Sequence, residues 1–254
     1  MKYIAIIPAR YGSTRLPGKP LLKLGGKSII QHVYERVSQV VEETLVATDD
    51  GSIVEEVERF GGRAVLTSPD HKSGTDRVWE AYLKSGSQAD FVLNVQGDEP
   101  FVSKDHLESL MKIIAKDGVD IATLGYRLPS GTSYEVLSDP NTVKVVMNNK
   151  GEAIYFSRSP IPFLRGIPTE EWTSRYSFIQ HLGVYAFRTE VLGQVVADAQ
   201  SPLEEAESLE QLRWLEAGHR IFLTTTTVKS IGIDTVKDLE QAEDYLRQSY
   251  NAGQ

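Results

Sequence analysis

Short apolar runs alternate with amphipathic stretches over the first half of the chain. Ile4–Pro8 reads as a buried strand, and Ile30, Val33, Val37 and Val41 follow at helical spacing. Leu45–Thr48 reads as a second strand, ending at Asp49-Asp50-Gly51, with Ile53, Val57 and Phe60 as a helix face after it. Ala64–Thr67 is a third strand, and Val78, Trp79, Tyr82 and Leu83 are spaced for a helix. Phe91–Val95 is a fourth strand, and Ser103 is placed to cap a helix with Leu107, Leu110, Met111 and Ile114 inside. This rhythm predicts parallel βαβ units covered on both faces.

The rhythm changes after about Asp120. Ile121–Leu124, Val143–Met147, Ile154–Phe156 and Val184–Phe187 read as strands with few helices between them. A helix is expected around Glu204–Ala217, then strands at Ile221–Thr226 and Ser230–Ile233, then a helix over Val236–Leu246. The expected fold is α/β: a Rossmann-like, mostly parallel sheet with helices on both faces, plus a smaller mixed-sheet lobe. No linker, repeat or low-complexity run divides residues 1–254. One domain is expected, with a core of about 1–120 and 219–254 and a lobe of about 121–218.

Composition narrows the function. At 254 residues and 41% hydrophobic, the chain is long enough for a sizeable core. A net charge of -8 argues against nucleic acid as a partner and requires local cations or a metal ion for any polyanionic substrate. The absence of cysteine removes disulfides, thiolate metal sites and thiol nucleophiles. No apolar run reaches the length of a membrane span or a signal peptide core, so a soluble cytoplasmic protein is the expectation.

The first strand leads into Pro8-Ala9-Arg10-Tyr11-Gly12-Ser13-Thr14-Arg15-Leu16-Pro17-Gly18-Lys19-Pro20. In an open parallel sheet, ligands bind beyond the carboxyl ends of the strands. Three cations, two glycines and two hydroxyls in such a loop suit a triphosphate. It is not a Walker loop, because Gly12 lies one residue too far from Gly18-Lys19 and Pro20 replaces the hydroxyl. Gly-x-Gly-x-x-Gly is also missing after the first strand, which disfavours a hydride-transferring dinucleotide enzyme.

Asn94-Val95-Gln96-Gly97-Asp98-Glu99-Pro100 stands at the end of the fourth strand, on the same sheet edge. Gly232-Ile233-Asp234-Thr235 offers a second carboxylate after a later strand. Two carboxylates near a triphosphate suit Mg²⁺, although Asp234 reads equally well as a helix cap. His71-Lys72-Ser73-Gly74-Thr75-Asp76-Arg77 is another polar turn, in which Thr75 is a plausible N-cap and Asp76 suits the first helical turn.

The loop PARYGSTRLPGKP resembles that of the CMP-Kdo synthetase family, and the resemblance continues from about Ile4 to Leu246. NVQGDEP and the GIDT segment match its metal-ligand motifs, which implies Asp98 and Asp234 as ligands of Mg²⁺. The catalytic set implied is Lys19, Arg10, Asp98 and Asp234. The nucleotide set is Ala9, Arg10, Ser13, Arg15, Lys19, Ser73, Gly74 and Gln96. YFSR, HLGVY and LEQLR match further family segments. They imply Arg158 for a sugar carboxylate and His181, Tyr185, Glu210 and Gln211 for the rest of an acidic sugar. The resemblance implies transfer of CMP from CTP to Kdo with release of pyrophosphate, a homodimer, and a role in lipopolysaccharide synthesis. A related acid, 8-amino-Kdo or sialic acid, is the nearest alternative. A CTP-sensing protein without chemistry is the alternative of another class.

Overall fold

In the computed structural model, which describes residues 1–12 and 16–252, the first apolar run becomes β1 (Tyr3–Ala9), buried along all but its first residue. A 3-10 turn (Lys19–Leu21) and a small hairpin, β2 (Lys23–Leu24) with β3 (Lys27–Ser28), lead to α1 (Ile29–Ser38). There follow β4 (Glu43–Thr48), α2 (Gly51–Arg59), β5 (Ala64–Leu66), α3 (Gly74–Ser85), β6 (Phe91–Asn94) and α4 (Lys104–Ile114). Next come β7 (Ile121–Arg127), α5 (Tyr134–Ser138), β8 (Lys144–Met147), β9 (Ala153–Ser157), α6 (Trp172–Arg175) and β10 (Ile179–Arg188). The chain ends with α7 (Thr189–Ala197), α8 (Pro202–Glu207), α9 (Gln211–Glu216), β11 (Ile221–Thr226) and α10 (Val236–Ala252). Two compact units form, Met1–Glu108 with Ser230–Gln254, and Ser109–Lys229.

The first unit is built on a parallel sheet in the order β6-β1-β4-β5. From β1 the chain moves outward through β4 and β5, and α3 then carries it back to β6 on the other side of β1. The order therefore reverses between β1 and β6, which opens a crevice at their carboxyl ends. Ile4, Ile6 and Ile7 of β1 and Val92 and Leu93 of β6 are fully buried, so both strands are fixed by covered faces. Along α3 the inward positions are Val78 and Ala81; Leu83, expected inside, is exposed.

A satellite core positions the rest of the crevice. Leu16, Leu24, Ile29, Phe101, Ile233 and Ala242 pack together, with Leu22, Ile231, Leu239 and Leu246 against them. This cluster holds the hairpin, the turn after β6 and the start of α10. Ser230–Ile233 is not the strand expected from its sequence. Ile233 N donates to Asp98 O at 2.9 Å, so the segment is tied to a turn rather than to a ladder.

The second unit is a mixed sheet. β7 pairs with β11 in parallel and with β10 antiparallel, while β8 pairs antiparallel with β10 and β9. The register along β10 shifts between Leu182 and Tyr185, a bulge that re-aims the following side chains. The single helix expected over Glu204–Ala217 is broken. Ser208 has φ 50°, and Arg158 donates from Nε to Glu207 O and from Nη2 to Ser208 O, at 2.6 and 3.1 Å. These carbonyls face a guanidinium instead of the next helical turn, so α8 stops and α9 starts afresh.

Candidate active site

The loop after β1 returns to its starting point. Gly18 N donates to Tyr11 O at 3.1 Å, and Gly18 takes φ 65°, a left-handed conformation in which glycine meets no Cβ penalty. The 3-10 turn that follows carries Lys19 back over the end of β1. Lys19 Nζ donates to Asp98 Oδ2 at 2.6 Å and to Asp234 Oδ1 at 2.9 Å. Burial works to lower the ammonium's pKa, but Asp98 and then Asp234 outweigh it and leave the pKa raised. Three side chains separated by up to 215 positions in sequence thus meet at one point.

Asp234 is free for this because it is not the helix cap. Thr235 Oγ1 accepts from Asp238 N, and the Asp238 carboxylate accepts from Thr235 N and Asp234 N. Thr235 and Asp238 cap α10 between them, and the Asp234 carboxylate faces Lys19. At α3 the cap is Ser73 rather than Thr75. Ser73 Oγ accepts from Asp76 N, and Asp76 Oδ2 accepts from Ser73 N, a reciprocal box.

Gly97 brings the turn after β6 against β1. An added Cβ would lie 2.8 Å from Pro8 O, a main-chain atom that cannot swing aside. Glu99, on the same turn, has its carboxyl pushed up to about 7, foremost by burial. The Ser230 hydroxyl, which donates to it, opposes that rise, and the charges of Asp98 and Asp234 add to it.

A cavity of about 280 Å³ opens here, lined by Pro8, Ala9, Arg10, Lys19, Pro20, His71, Lys72, Ser73, Gly74, Arg77, Gln96, Gly97, Asp98 and Asp234. Of the nucleotide and catalytic residues read from sequence, Ala9, Arg10, Lys19, Ser73, Gly74, Gln96, Asp98 and Asp234 all face it. Ser13 and Arg15 lie outside the described residues. His71, Lys72 and Arg77 line the cavity without having been singled out, although they stand in the same polar turn as Ser73. Arg77 holds the wall together, donating to Thr67 Oγ1 and Asp49 Oδ2 at 2.6 and 2.7 Å.

The carboxylates fit a divalent cation. Asp98 and Asp234 already converge on one positive charge, and Mg²⁺ is commonly held by one or two carboxylates together with phosphate oxygens. Among the described residues no group of three or more His, Asp or Glu side chains is arranged to hold a metal by itself, so the protein's share would be these two.

In the second unit, the bulge of β10 sets His181 against Tyr185, with ring centroids 5.3 Å apart. Desolvation holds the imidazole neutral, with a pKa lowered to about 3, and its Nε2 lies 3.0 Å from Thr123 Oγ1. Tyr185 is buried, and its hydroxyl pKa is raised by burial first and by Glu210 next. Gln211 follows Glu210 at the start of α9, and Trp214 lies one turn on, its ring 5.1 Å from that of Tyr185. Tyr185 Oη, Gln211 Nε2 and Trp214 Nε1 are buried polar atoms with no hydrogen-bond partner among the described residues. Such groups are costly unless a ligand or water completes them. Trp214 was missed in the sequence because an indole at helical spacing reads as core.

Arg158 is braced by main chain. Its Nε, Nη1 and Nη2 donate to the carbonyls of Glu207, Pro140 and Ser208 at 2.6, 2.8 and 3.1 Å. Three of its five N–H groups brace the guanidinium on main chain, and one N–H on each of Nη1 and Nη2 remains for a ligand.

Residues 4–221 match the cytidylyltransferase family. The 3-deoxy-manno-octulosonate cytidylyltransferase of Bacteroides thetaiotaomicron is 49% identical over 247 residues, covering 97% of this chain and 99% of that relative. The enzyme of the same name from Porphyromonas gingivalis is 50% identical over 244 residues, 96% of each chain. A solved structure of CMP:2-keto-3-deoxy-manno-octonic acid synthetase complexed with CTP superposes with a TM-score of 0.89 at 42% identity, covering 98% of this chain and all of that one.

Proposed function

This chain belongs to the cytidylyltransferase family, and from that premise we propose that it transfers CMP from CTP to Kdo, releasing pyrophosphate. The observation that carries the chemistry is the meeting of Lys19, Asp98 and Asp234 at the switch point of a parallel sheet. The choice of sugar acid follows from relatives about half identical over nearly their whole length.

Arg10 and Lys19 take the phosphates of CTP. The capped start of α3, at Ser73 and Gly74, takes the nucleotide where the base side adjoins the phosphates, and Gln96 contacts the base. Asp98 and Asp234 would hold Mg²⁺. When bound, that ion would neutralise charge on the phosphates and lower the pKa of the sugar's anomeric hydroxyl. The hydroxyl oxygen gives up its proton to solvent and forms a bond to the α-phosphorus as the bond from that phosphorus to the bridging oxygen breaks, and pyrophosphate carries the electron pair away. Lys19 places a fixed positive charge where negative charge develops, so no covalent enzyme intermediate is needed. Neutral His181, Tyr185, Glu210 and Gln211 offer the donors and acceptors that a polyhydroxylated acid requires, and Trp214 adds an indole N–H.

Pyrophosphate release with CTP and Mg²⁺ over a panel of Kdo, 8-amino-Kdo and sialic acid tests this reading. Release with Kdo, abolished by a chelator and restored by Mg²⁺, is the expected result. Release with another acid only would change the substrate. Binding of CTP with no release from any acid would leave a sensor.

A further inference from the structure

We infer that Lys72 is a nucleotide-binding residue that grips the phosphate chain of the triphosphate. This inference rests on the transferase reading above and adds a contact to its nucleotide site. The cavity wall carries four cations, Arg10, Lys19, Lys72 and Arg77. Arg77 is neutralised by Asp49 at 2.7 Å. Lys19 is shared between two carboxylates, so that trio is net negative. A nucleoside triphosphate therefore meets only two cations free of a partner among the described residues, Arg10 and Lys72. In a chain with a net charge of -8, Lys72 adds a second such cation, beside the shared Lys19, to draw a polyanion into this crevice.

Position supports the role. Lys72 immediately precedes Ser73, the N-cap of α3, and lies on the wall beside Gly74. The N–H groups of the first turn and the positive end of the helix dipole face the same space. The side chain is exposed, so its ammonium reaches a ligand without breaking an internal bond. An ammonium on a flexible stem acts as a point charge on phosphate oxygens; it does not read a base or a sugar. Lys72 is therefore a binding residue for the triphosphate tail, used equally before and during the reaction.

The full-length protein, its Lys72→Met variant and its Lys72→Arg variant distinguish the possibilities. Calorimetric titration with CTP and with CMP, each in Mg²⁺, is compared with the kinetics of pyrophosphate release. In Lys72→Met the affinity for CTP falls about tenfold, while the affinity for CMP stays within about twofold. KM for CTP rises in step with kcat nearly constant, the pattern of a contact made equally in ground and transition states. Lys72→Arg restores most of the CTP affinity. Unchanged CTP affinity in Lys72→Met overturns the inference, as do equal losses for CTP and CMP or a rise confined to the KM for Kdo. A wild-type protein that binds CTP but releases no pyrophosphate sinks the transferase reading alone, and the binding comparison still decides Lys72.

Discussion

Lys19 is held by two acidic side chains that are themselves one-third and one-half exposed, at 33% and 54%. Water screens such pairs, so their contribution to stability is small. In the proposed reaction the same ammonium would face a phosphate of the substrate, where it would matter far more for rate. Lys19→Ala is accordingly expected to cut pyrophosphate release by about 10²–10³-fold and to leave the thermal midpoint nearly unchanged. Retained turnover would remove Lys19 from the mechanism. His181 gives a pH prediction. Its folded pKa of about 3 lies below the unfolded value of 6.5, so between these values the unfolded chain binds the extra proton. The contribution of neutral His181 to stability is complete above pH 6.5 and is lost as pH falls toward 3. Thermal melts at pH 7 and pH 4.5 should therefore show a larger drop for the wild type than for His181→Gln. An equal drop in both would mean that His181 is not held neutral.

The elements around the crevice are braced by packing some distance from the chemistry. Asp234 reaches Lys19 because Ile233, fully buried, is locked into the satellite core and its N–H is bonded to Asp98 O. Ile233→Ala should cost about 2–5 kcal/mol in chemical denaturation, and Ile233→Val about 0.5–1.5 kcal/mol. Turnover should fall more than the remaining folded fraction explains, because the cavity left behind loosens Asp234. If activity simply tracks the folded fraction, the brace is not acting on the site. In the second unit the equivalent brace is Arg158, whose bonds to the carbonyls of Glu207 and Ser208 stand where one helix ends, before Glu210 and Gln211 begin another. The same clamp explains why Glu204–Ala217 does not form one continuous helix.

Over the whole molecule the chain carries a net charge of -8, yet four cations, Arg10, Lys19, Lys72 and Arg77, line the crevice wall. No helix among the described residues is long and apolar enough to cross a membrane. The family resemblance carries the expectation of a homodimer, and we propose that two chains of 28.3 kDa associate in solution. Light scattering on the eluted protein should give twice the chain mass across a tenfold dilution. A mass of one chain would retire the dimer.

The sequence by itself determined the alternation that builds the parallel unit, because the apolar runs are too short and too continuous to be anything but strands buried on both faces. It also determined the loop chemistry of Arg10 to Lys19 and the two carboxylates, since their types and motifs are local. The tertiary structure alone decided which groups meet. Asp98 and Asp234 stand 136 positions apart in sequence and share one ammonium only because a small core folds the start of α10 against the turn after β6. It also took Asp234 out of the helix cap, by supplying Thr235 and Asp238 there, and left its carboxylate on Lys19. The bracing of Arg158 on main chain was decided in the same way. A guanidinium's partners depend on which carbonyls the chain brings to it, and spacing in sequence does not encode that.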